Sequence, residues 1–306
     1  MNYSPSSVTG YLASFWKSES PKRNDTFSKQ KDDFTAIELP FHSLHSHQVH
    51  KEALYLYYST YHWKRILNGY SSYFSPTYIF ITEYFNNFPS LSLTNSLKKL
   101  GVKYIIIHSE GYEESTWQRI YRELNKYSSK ISLVEKFGPD FVYQIVNSSF
   151  TLSRPKEPDP SLLIPKEGWR AKSNLNTRNA HNAIDNNLKT RWDTAGPRQP
   201  GAYFKLDLGR IYEFNRIWLN VRDKYLDYPQ EYTLEVSEDN KNWKTVISKG
   251  NVSPESFLAY LLYSPKNAKI DIKFAPQKAR YIRITQYGKN EAYWWAIYEI
   301  DVQGVS

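Results

Sequence analysis

Four histidines lie close together in the first half of the sequence. They are His42, His45, His47 and His50. Two or three imidazoles with a carboxylate can hold zinc, so this cluster is a candidate metal site for a hydrolase or transferase. Its spacing fits no standard zinc motif, and a histidine-rich tract can equally be a solvated loop. We therefore favour a loop and keep a zinc-dependent enzyme as an alternative.

Other patterns typical of catalysis are scarce. The chain has no cysteine, which excludes disulfides, thiolate zinc sites and cysteine nucleophiles. It contains no nucleophile elbow, phosphate-binding loop or metalloprotease motif. Glu113 and Glu114 are adjacent carboxylates, but they precede Ser115, which we predict to cap a helix, so they suit the positive end of that helix. Catalysis is the less favoured interpretation.

Composition and charge describe a folded chain and argue against a nucleic-acid partner. The net charge is +9, and aromatic residues make up 16% of the sequence. A nucleic-acid-binding surface concentrates its basic residues, whereas no run of Lys and Arg here exceeds two residues. We expect a solvated surface suited to anionic envelopes or glycans. We find neither a signal peptide nor an apolar run near the roughly 18 residues of a membrane span.

The first half predicts a small α/β domain over residues 35–147, preceded by a polar segment, 1–34. Residues 36–40 and 102–108 have the apolar, β-branched character of buried strands. Apolar residues at helical spacing predict one helix ending before Gly101 and another beginning at Ser115. A β-hairpin over residues 131–146 closes the domain.

The second half changes to a period of two. Residues 148–168 contain four prolines and form a linker or lead-in segment. Beyond them, Phe204, Leu206 and Leu208 alternate with polar residues, and several later segments repeat this pattern. Short alternating strands between turn residues predict an all-β sandwich over residues 169–306.

Five ordered motifs in the second half carry a resemblance to a known family. They are AIDNNLKTRWDT (183–194), GAYFKLDLG (201–209), IWL (217–219), ARYIRI (279–284) and WAIYEI (295–300). Together they resemble the discoidin (coagulation factor V/VIII type C) family, which includes family 32 carbohydrate-binding modules. The resemblance implies an eight-stranded jelly-roll sandwich of the galactose-binding-like kind, with a ligand site on loops at one end.

The same resemblance implies one structural calcium ion. Calcium prefers six to eight oxygen ligands, and these converge here if the first loop lies against the last strand. Asn186 stands where the family usually has glycine, and asparagine tolerates the left-handed backbone that such a loop needs. The alternative is that Asp185 only caps a turn. The candidate calcium ligands are Ala183, Asp185, Asn187, Thr190 and Glu299.

Aromatic and polar side chains in predicted loops are the candidate glycan ligands, because flat rings stack on sugars and Arg or Asn can bind hydroxyls. The alternative is that these side chains pack on one another. Trp192 and Trp295 resemble core positions of the family's sandwich, so we predict that they are buried. The candidate ligand-binding residues are Arg198, Arg222, Tyr225, Asn290, Tyr293 and Trp294.

A second, looser resemblance covers residues 35–146. The run 54–71, with 36–40 before it and 100–108 after it, is similar to the soluble tail of bacterial multi-span membrane glycosyltransferases of the protein mannosyltransferase-like type. In such proteins the tail is extracytoplasmic, and the catalytic carboxylates lie between the spans. The resemblance implies a periplasmic or cell-surface location and a membrane-embedded glycosyltransferase partner. The chain is then an excised soluble region or a free-standing relative.

Three functions are consistent with these patterns. The first is a non-catalytic, calcium-supported glycan-binding region of a bacterial membrane glycosyltransferase, or of a relative. The second is a scaffold for envelope glycosylation that does not bind sugar. The third is an enzyme that uses the first domain. We favour the first, because its motifs are the most specific.

Overall fold

The computed structural model of the protein describes residues 34–42, 47–60, 62–70, 76–85, 88–252 and 254–305. The chain divides into two compact units, Met1–Leu152 and Ser153–Ser306. The predicted polar segment 1–34 lies outside the described residues, except for Phe34. Among the residues described, no helix combines the length and apolar character that a membrane span requires.

Unit 1 is built on a five-stranded mixed sheet in the order β2-β1-β3-β5-β4. Parallel pairing joins β1 to β2 and β3, and antiparallel pairing joins β5 to β3 and β4. Buried β-branched side chains of β3 place it at the sheet centre, as the sequence predicts. The strands are β1 (Thr35–Leu39), β2 (Arg65–Ile66), β3 (Val102–His108), β4 (Ile131–Phe137) and β5 (Asp140–Ile145).

Four helices of the described residues belong to this unit: α1 (His50–Ser59), α2 (Pro76–Phe85), α3 (Leu91–Lys99) and α4 (Glu114–Lys126). The predicted stop at Gly101 is confirmed, because its φ of 74° ends the α3 turn just before β3. The predicted cap at Ser115 is wrong. Glu113 is the N-cap and Glu114 is already helical, so Ser115 lies inside the first turn. Trp117, Ile120 and Leu124 of the predicted apolar face of α4 are buried, with the ring centroids of Trp117 and Phe141 4.7 Å apart, whereas Tyr121 of the same predicted face is exposed.

Unit 2 is a β-sandwich of antiparallel strands, as predicted. Its strands are β6 (Arg170–Ser173), β7 (Trp192–Asp193), β8 (Ala202–Arg222), β9 (Tyr232–Ser237), β10 (Lys244–Gly250), β11 (Ala268–Gln286), β12 (Ala296–Ile297) and β13 (Glu299–Gly304).

Two long strands, β8 and β11, take part in both layers of the sandwich. Residues 202–207 pair with 281–286 in the layer that contains β6, β9 and β10. Residues 214–220 pair with the first part of β11 and with β13 in the other layer. Trp192 and Trp295 are fully buried, with ring centroids 4.9 Å apart, which confirms their predicted place in the core.

One helix of unit 2 was not predicted, whereas the segment before residue 169 takes the lead-in alternative of the prediction. Helix α5 (Pro254–Tyr263) interrupts the all-β pattern and buries Phe257, Leu258 and Leu261. The proline-rich segment before residue 169 runs along the last strand, where Ile164 N donates to Val302 O at 2.9 Å. This segment therefore belongs to the sandwich.

Candidate functional site

Three loops meet at one end of unit 2: residues 193–201, 223–231 and 287–295. Backbone hydrogen bonds join them, and in particular Arg198 N donates to Tyr293 O at 2.9 Å while Asn290 N donates to Arg198 O at 3.2 Å. The loop after β8 is joined to the third loop by Tyr287 N, which donates to Glu231 O at 2.8 Å. The end of the sandwich is therefore one connected surface.

Arg198 supports this surface from the interior of the domain. Its side chain is only 1% exposed, and Nη1 donates to Leu226 O at 2.6 Å and to Tyr228 O at 2.5 Å. Burial lowers the pKa of the guanidinium group, which nevertheless keeps its charge. The sequence correctly placed Arg198 in a loop. Its burial, however, makes it a support for the loop 223–231 and leaves it no surface for a ligand.

Two other arginines flank the ring of Tyr298. The guanidinium carbon of Arg222 lies 5.4 Å from the ring centroid, and that of Arg191 lies 5.8 Å from it. Arg191 also donates from Nε to Asp193 Oδ2 at 3.0 Å, and Arg222 donates from Nη1 to Leu188 O. Tyr298 itself is 8% exposed, so its ring acts as a buried platform that orients the two cations.

Asp227 accepts hydrogen bonds from the backbone at both ends of the Trp294-Trp295 pair. Its Oδ1 accepts a hydrogen bond from Trp294 N at 3.1 Å, and its backbone carbonyl accepts one from Ala296 N at 3.0 Å. Burial raises the pKa of Asp227, whereas Trp294 N and the nearby Arg191 lower it. The half-buried indole of Trp294 is therefore held by a rigid backbone.

The remaining candidate ligands differ in exposure. Tyr225 is 6% exposed and its hydroxyl donates to Pro265 O, so it supports the loop as Arg198 does. Asn290 Oδ1 accepts from the backbone N–H of Ala292 and of Tyr293, both at 2.8 Å, which caps the turn. Four of the six predicted residues thus keep partly exposed side chains. They are Arg222, Asn290, Tyr293 and Trp294.

Sequence reasoning missed four residues of this end: Arg191, Asp193, Asp227 and Tyr298. Three of them lie inside motifs that carry the discoidin resemblance, and these motifs could have singled them out. Asp227 precedes a Tyr-Pro dipeptide in a loop, and nothing in that local sequence distinguishes a structural carboxylate from a solvated one.

Four of the five predicted calcium ligands, Asp185, Asn187, Thr190 and Glu299, come together. Asn187 N donates to Asp185 Oδ1 at 2.9 Å and to Glu299 Oε1 at 3.1 Å, and Thr190 Oγ1 donates to Asp185 Oδ2 at 2.7 Å. Asn186 adopts the left-handed backbone, with φ of 59°. Ala183 is buried at the start of this loop. The loop 183–190 therefore lies against β13, as the resemblance implies.

A lysine from the lead-in segment also reaches this junction. Lys166 Nζ forms an ion pair with Glu299 Oε2 and a second one with Asp301 Oδ1 at 2.9 Å. The Lys166 side chain is 13% exposed and that of Glu299 is 7% exposed. Burial raises the pKa of Glu299, and the ion pair with Lys166 opposes that shift.

The F5/8 type C domain family matches residues 169–300. This range contains the strands β6–β12, the three loops at the end of the sandwich, and the loop 183–190 with its partner Glu299. Residues 169–300 form an F5/8 type C domain. None of the curated proteins compared with the sequence matches it.

Several solved structures similar to part of the chain are carbohydrate-binding modules. CpGH89CBM32-5 from Clostridium perfringens, in complex with GalNAc-beta-1,3-galactose, is 21% identical, covers 46% of this chain and 99% of its own, and gives a TM-score of 0.37. CBM32-3 from a family 31 glycoside hydrolase of Clostridium perfringens is 22% identical over 49% of this chain and 99% of its own, with a TM-score of 0.38. Chitosan-binding module 1 from a Paenibacillus sp. IK-5 chitosanase/glucanase is 25% identical over 45% of this chain and 96% of its own, with a TM-score of 0.34.

The loop 183–190, which the resemblance assigns to calcium, does not fit the ion while Lys166 is paired with Glu299. An N–H group, that of Asn187, joins the two carboxylates that would have to share the ion. The Lys166 ammonium group binds the other oxygen of Glu299, and a divalent cation beside it would be repelled. Among the described residues, no group of three or more His, Cys, Asp or Glu side chains is arranged to hold a metal ion.

Unit 1 contains a separate polar cluster at the carboxyl ends of β1 and β3. His108 Nε2 lies 3.0 Å from Glu38 Oε2, and His108 Nδ1 lies 2.8 Å from Asp140 Oδ1. An ionised carboxylate only accepts hydrogen bonds, so an imidazolium that donates from both nitrogens satisfies this arrangement. Because both ring nitrogens contact carboxylates, His108 has no free nitrogen to accept a proton as a general base. It stabilises the ends of the strands instead.

A second part of this cluster is centred on Glu52, which is fully buried. Its Oε1 accepts from His42 N at 2.8 Å and its Oε2 accepts from Asn68 Nδ2 at 3.0 Å. Of the four histidines considered for zinc, His42 is buried beside Tyr55 and the pair His47 and His50 is exposed. His45 lies outside the described residues. The described histidines therefore give the zinc alternative no support.

Proposed function

We propose that the F5/8 type C domain binds a glycan on the three loops at one end of its sandwich, and that it does so without catalysis. The observation that carries this proposal is the rigid placement of one partly exposed indole, Trp294, and one partly exposed guanidinium group, Arg222, at the same end. An indole face stacks on the apolar face of a sugar ring, and a guanidinium group donates to its hydroxyls.

Preorganisation supports this proposal. Arg198, Asp227 and Tyr298 hold the loops by hydrogen bonds and ring contacts inside the domain. A ligand that binds such loops loses less free energy to ordering side chains than it would on mobile loops. The buried side chains therefore contribute to affinity without touching the sugar.

The similar structures suggest which glycans to test first. One is a complex with GalNAc-beta-1,3-galactose and another is a chitosan-binding module. We therefore choose galactose-type and glucosamine-type oligosaccharides as the first ligands. From the sequence resemblance of unit 1, we further propose that the chain works at the extracytoplasmic side of a bacterial membrane with a membrane-embedded glycosyltransferase. The discoidin resemblance predicts calcium support of binding, and the Lys166 ion pair beside the loop 183–190 argues against it.

The test is calorimetric titration of the full chain with the glycan that binds most tightly. Trp294→Ala and Arg222→Ala, each alone, should weaken binding at least about tenfold, or about 1.4 kcal/mol. The control is Trp243→Ala, which removes a partly exposed indole beyond the end of β9 opposite the loop 223–231 and should leave the affinity unchanged. Unchanged affinity in both variants would remove this site assignment.

A further inference from the structure

Lys166 occupies a defined place between the lead-in segment and the last strand. The hydrogen bond from Ile164 N to Val302 O and the bridge between Leu163 and Gln303 fix the backbone just before it. Its ammonium group then reaches Glu299 and Asp301, which are two residues apart on β13 and therefore point to the same side. The burial of the Lys166 side chain, at 13% exposure, shows that this is not a solvated surface pair.

The charges at this junction are already compensated. Glu299 uses Oε2 for Lys166 and Oε1 for the N–H of Asn187. Asp185 uses Oδ1 for the same N–H and Oδ2 for the hydroxyl of Thr190. Each oxygen of these two carboxylates therefore accepts a hydrogen bond or ion pair from the chain itself. The Lys166 ammonium group would compete with calcium for Glu299 and would repel the ion, so calcium could bind here only after that group had moved away.

We propose that the Lys166 ammonium group is the resident cation of the loop 183–190, and that it makes the F5/8 type C domain independent of calcium. The lysine supplies, in a covalently attached form, the positive charge beside Glu299, and the other oxygen of that carboxylate holds the loop through the Asn187 N–H. Removal of that charge leaves the carboxylates of Glu299 and Asp301 without their cation, next to a loop whose Asp185 shares the Asn187 N–H with Glu299. These two carboxylates, together with oxygen atoms of the loop, would then favour a divalent oxygen-binding cation.

The Lys166 ammonium group also affects Arg222, a proposed ligand residue, through the loop 183–190. Leu188, in the loop that Lys166 and Glu299 hold, accepts the hydrogen bond of Arg222 through its backbone carbonyl. A loop that loses its cation would therefore release one contact of a proposed ligand residue. This second consequence rests on the proposed glycan function, whereas the first does not.

The experiment measures thermal unfolding and calcium titration calorimetry on the full chain, in a chelator and in millimolar calcium. For the wild-type chain we expect the same melting temperature in both and no heat of calcium binding. Lys166→Met, which keeps side-chain length but removes the charge, should melt several degrees lower in the chelator, recover in calcium and bind one ion. Its calcium affinity should exceed that of the wild type at least about a hundredfold.

The matched control is Arg283→Met, because Arg283 also forms a part-buried ion pair, with Glu235, but lies where β11 pairs with β9 and not beside β13. It should lose stability and show no response to calcium. A wild-type chain that binds one calcium ion and gains several degrees from it overturns the proposal. So does a Lys166→Met chain that keeps its wild-type melting temperature in the chelator, or that fails to fold in both solutions. Neither readout involves a glycan, so the outcome is separate from that of the glycan proposal.

Discussion

The buried carboxyl group of Glu52 makes the stability of unit 1 depend on pH. Burial raises its pKa from 4.5 to about 7, although hydrogen bonds from His42 N and Asn68 lower it in part. A carboxyl group that holds its proton more tightly in the folded chain stabilises the fold below its unfolded pKa. That stabilisation is present below pH 4.5 and is lost as the pH rises through about 7.

The size of the effect follows from the two pKa values. At about 1.4 kcal/mol per pH unit, the difference between them corresponds to about 3 kcal/mol. His42 acts in the opposite direction, because burial lowers its pKa from 6.5 to about 4, and its contribution is lost as the pH falls through that value. The two trends oppose each other between pH 4.5 and 6.5, so the wild-type curve alone does not separate them.

Glu52→Gln isolates the carboxyl group. The unfolding free energy of this variant minus that of the wild type should rise by about 3 kcal/mol from acidic to mildly alkaline pH. The reason is that, at the higher pH, only the wild type must bury a carboxylate. Comparing variant and wild type at each pH removes the contribution of His42. The measurement is hydrogen exchange of the β3 peptide, residues 102–108, in the full chain.

The control for this comparison is Glu110→Gln, because Glu110 is exposed. Its stability difference from the wild type should not change with pH. A Glu52→Gln difference that is equally flat would refute the reasoning, since it would mean that Glu52 is ionised in the fold without penalty.

Three further predictions follow from the packing of unit 2. Arg198→Met leaves the carbonyl groups of Leu226 and Tyr228 without their guanidinium donor, so it should cost about 2–4 kcal/mol in chemical unfolding and weaken glycan binding; a stability within error of the wild type would contradict its supporting role. Trp192→Ala should cost about 3–5 kcal/mol in the same assay, and a loss below about 1 kcal/mol would show that the core is not packed around this ring. A Cβ at Gly288 would lie 2.5 Å from Gln230 Cβ, whereas one at Gly196 would meet nothing within 4 Å. Gly288→Ala should therefore weaken glycan binding in calorimetry while Gly196→Ala leaves it unchanged, and equal affinities would argue against a role for the third loop.

Periodic patterns in the sequence predicted much of the fold. The period of two identified the sandwich strands, and the continuous apolar run of β3 identified the central strand of unit 1. Trp192 and Trp295 were correctly assigned to the core from the discoidin resemblance. Helix α5 was not predicted because its apolar run is short and lies between strands. In such a run, periodicity alone does not distinguish a helix from a strand. The position of the Glu113 cap differs from the Ser115 prediction by two residues, within the usual uncertainty of helix ends.

The candidate sites were harder to predict, since they depend on contacts between residues far apart in the sequence. Arg198 lies in a loop as expected, but only the folded chain shows that its guanidinium group is buried against residues 226 and 228. Lys166 and Glu299 are separated by 133 positions, and Glu38 and His108 by 70. No local pattern pairs such residues, so neither the ion pair between Lys166 of the lead-in segment and Glu299 nor the imidazole between two carboxylates could be predicted from the sequence.

The most direct test of the central claim is binding of the full chain to an array of glycans, in a chelator and again in calcium. We predict binding to one class of glycan, at the same strength in both solutions, and its loss in Trp294→Ala. An array without binding in either solution, from a chain that melts cooperatively, would contradict glycan recognition and favour a scaffold for envelope glycosylation.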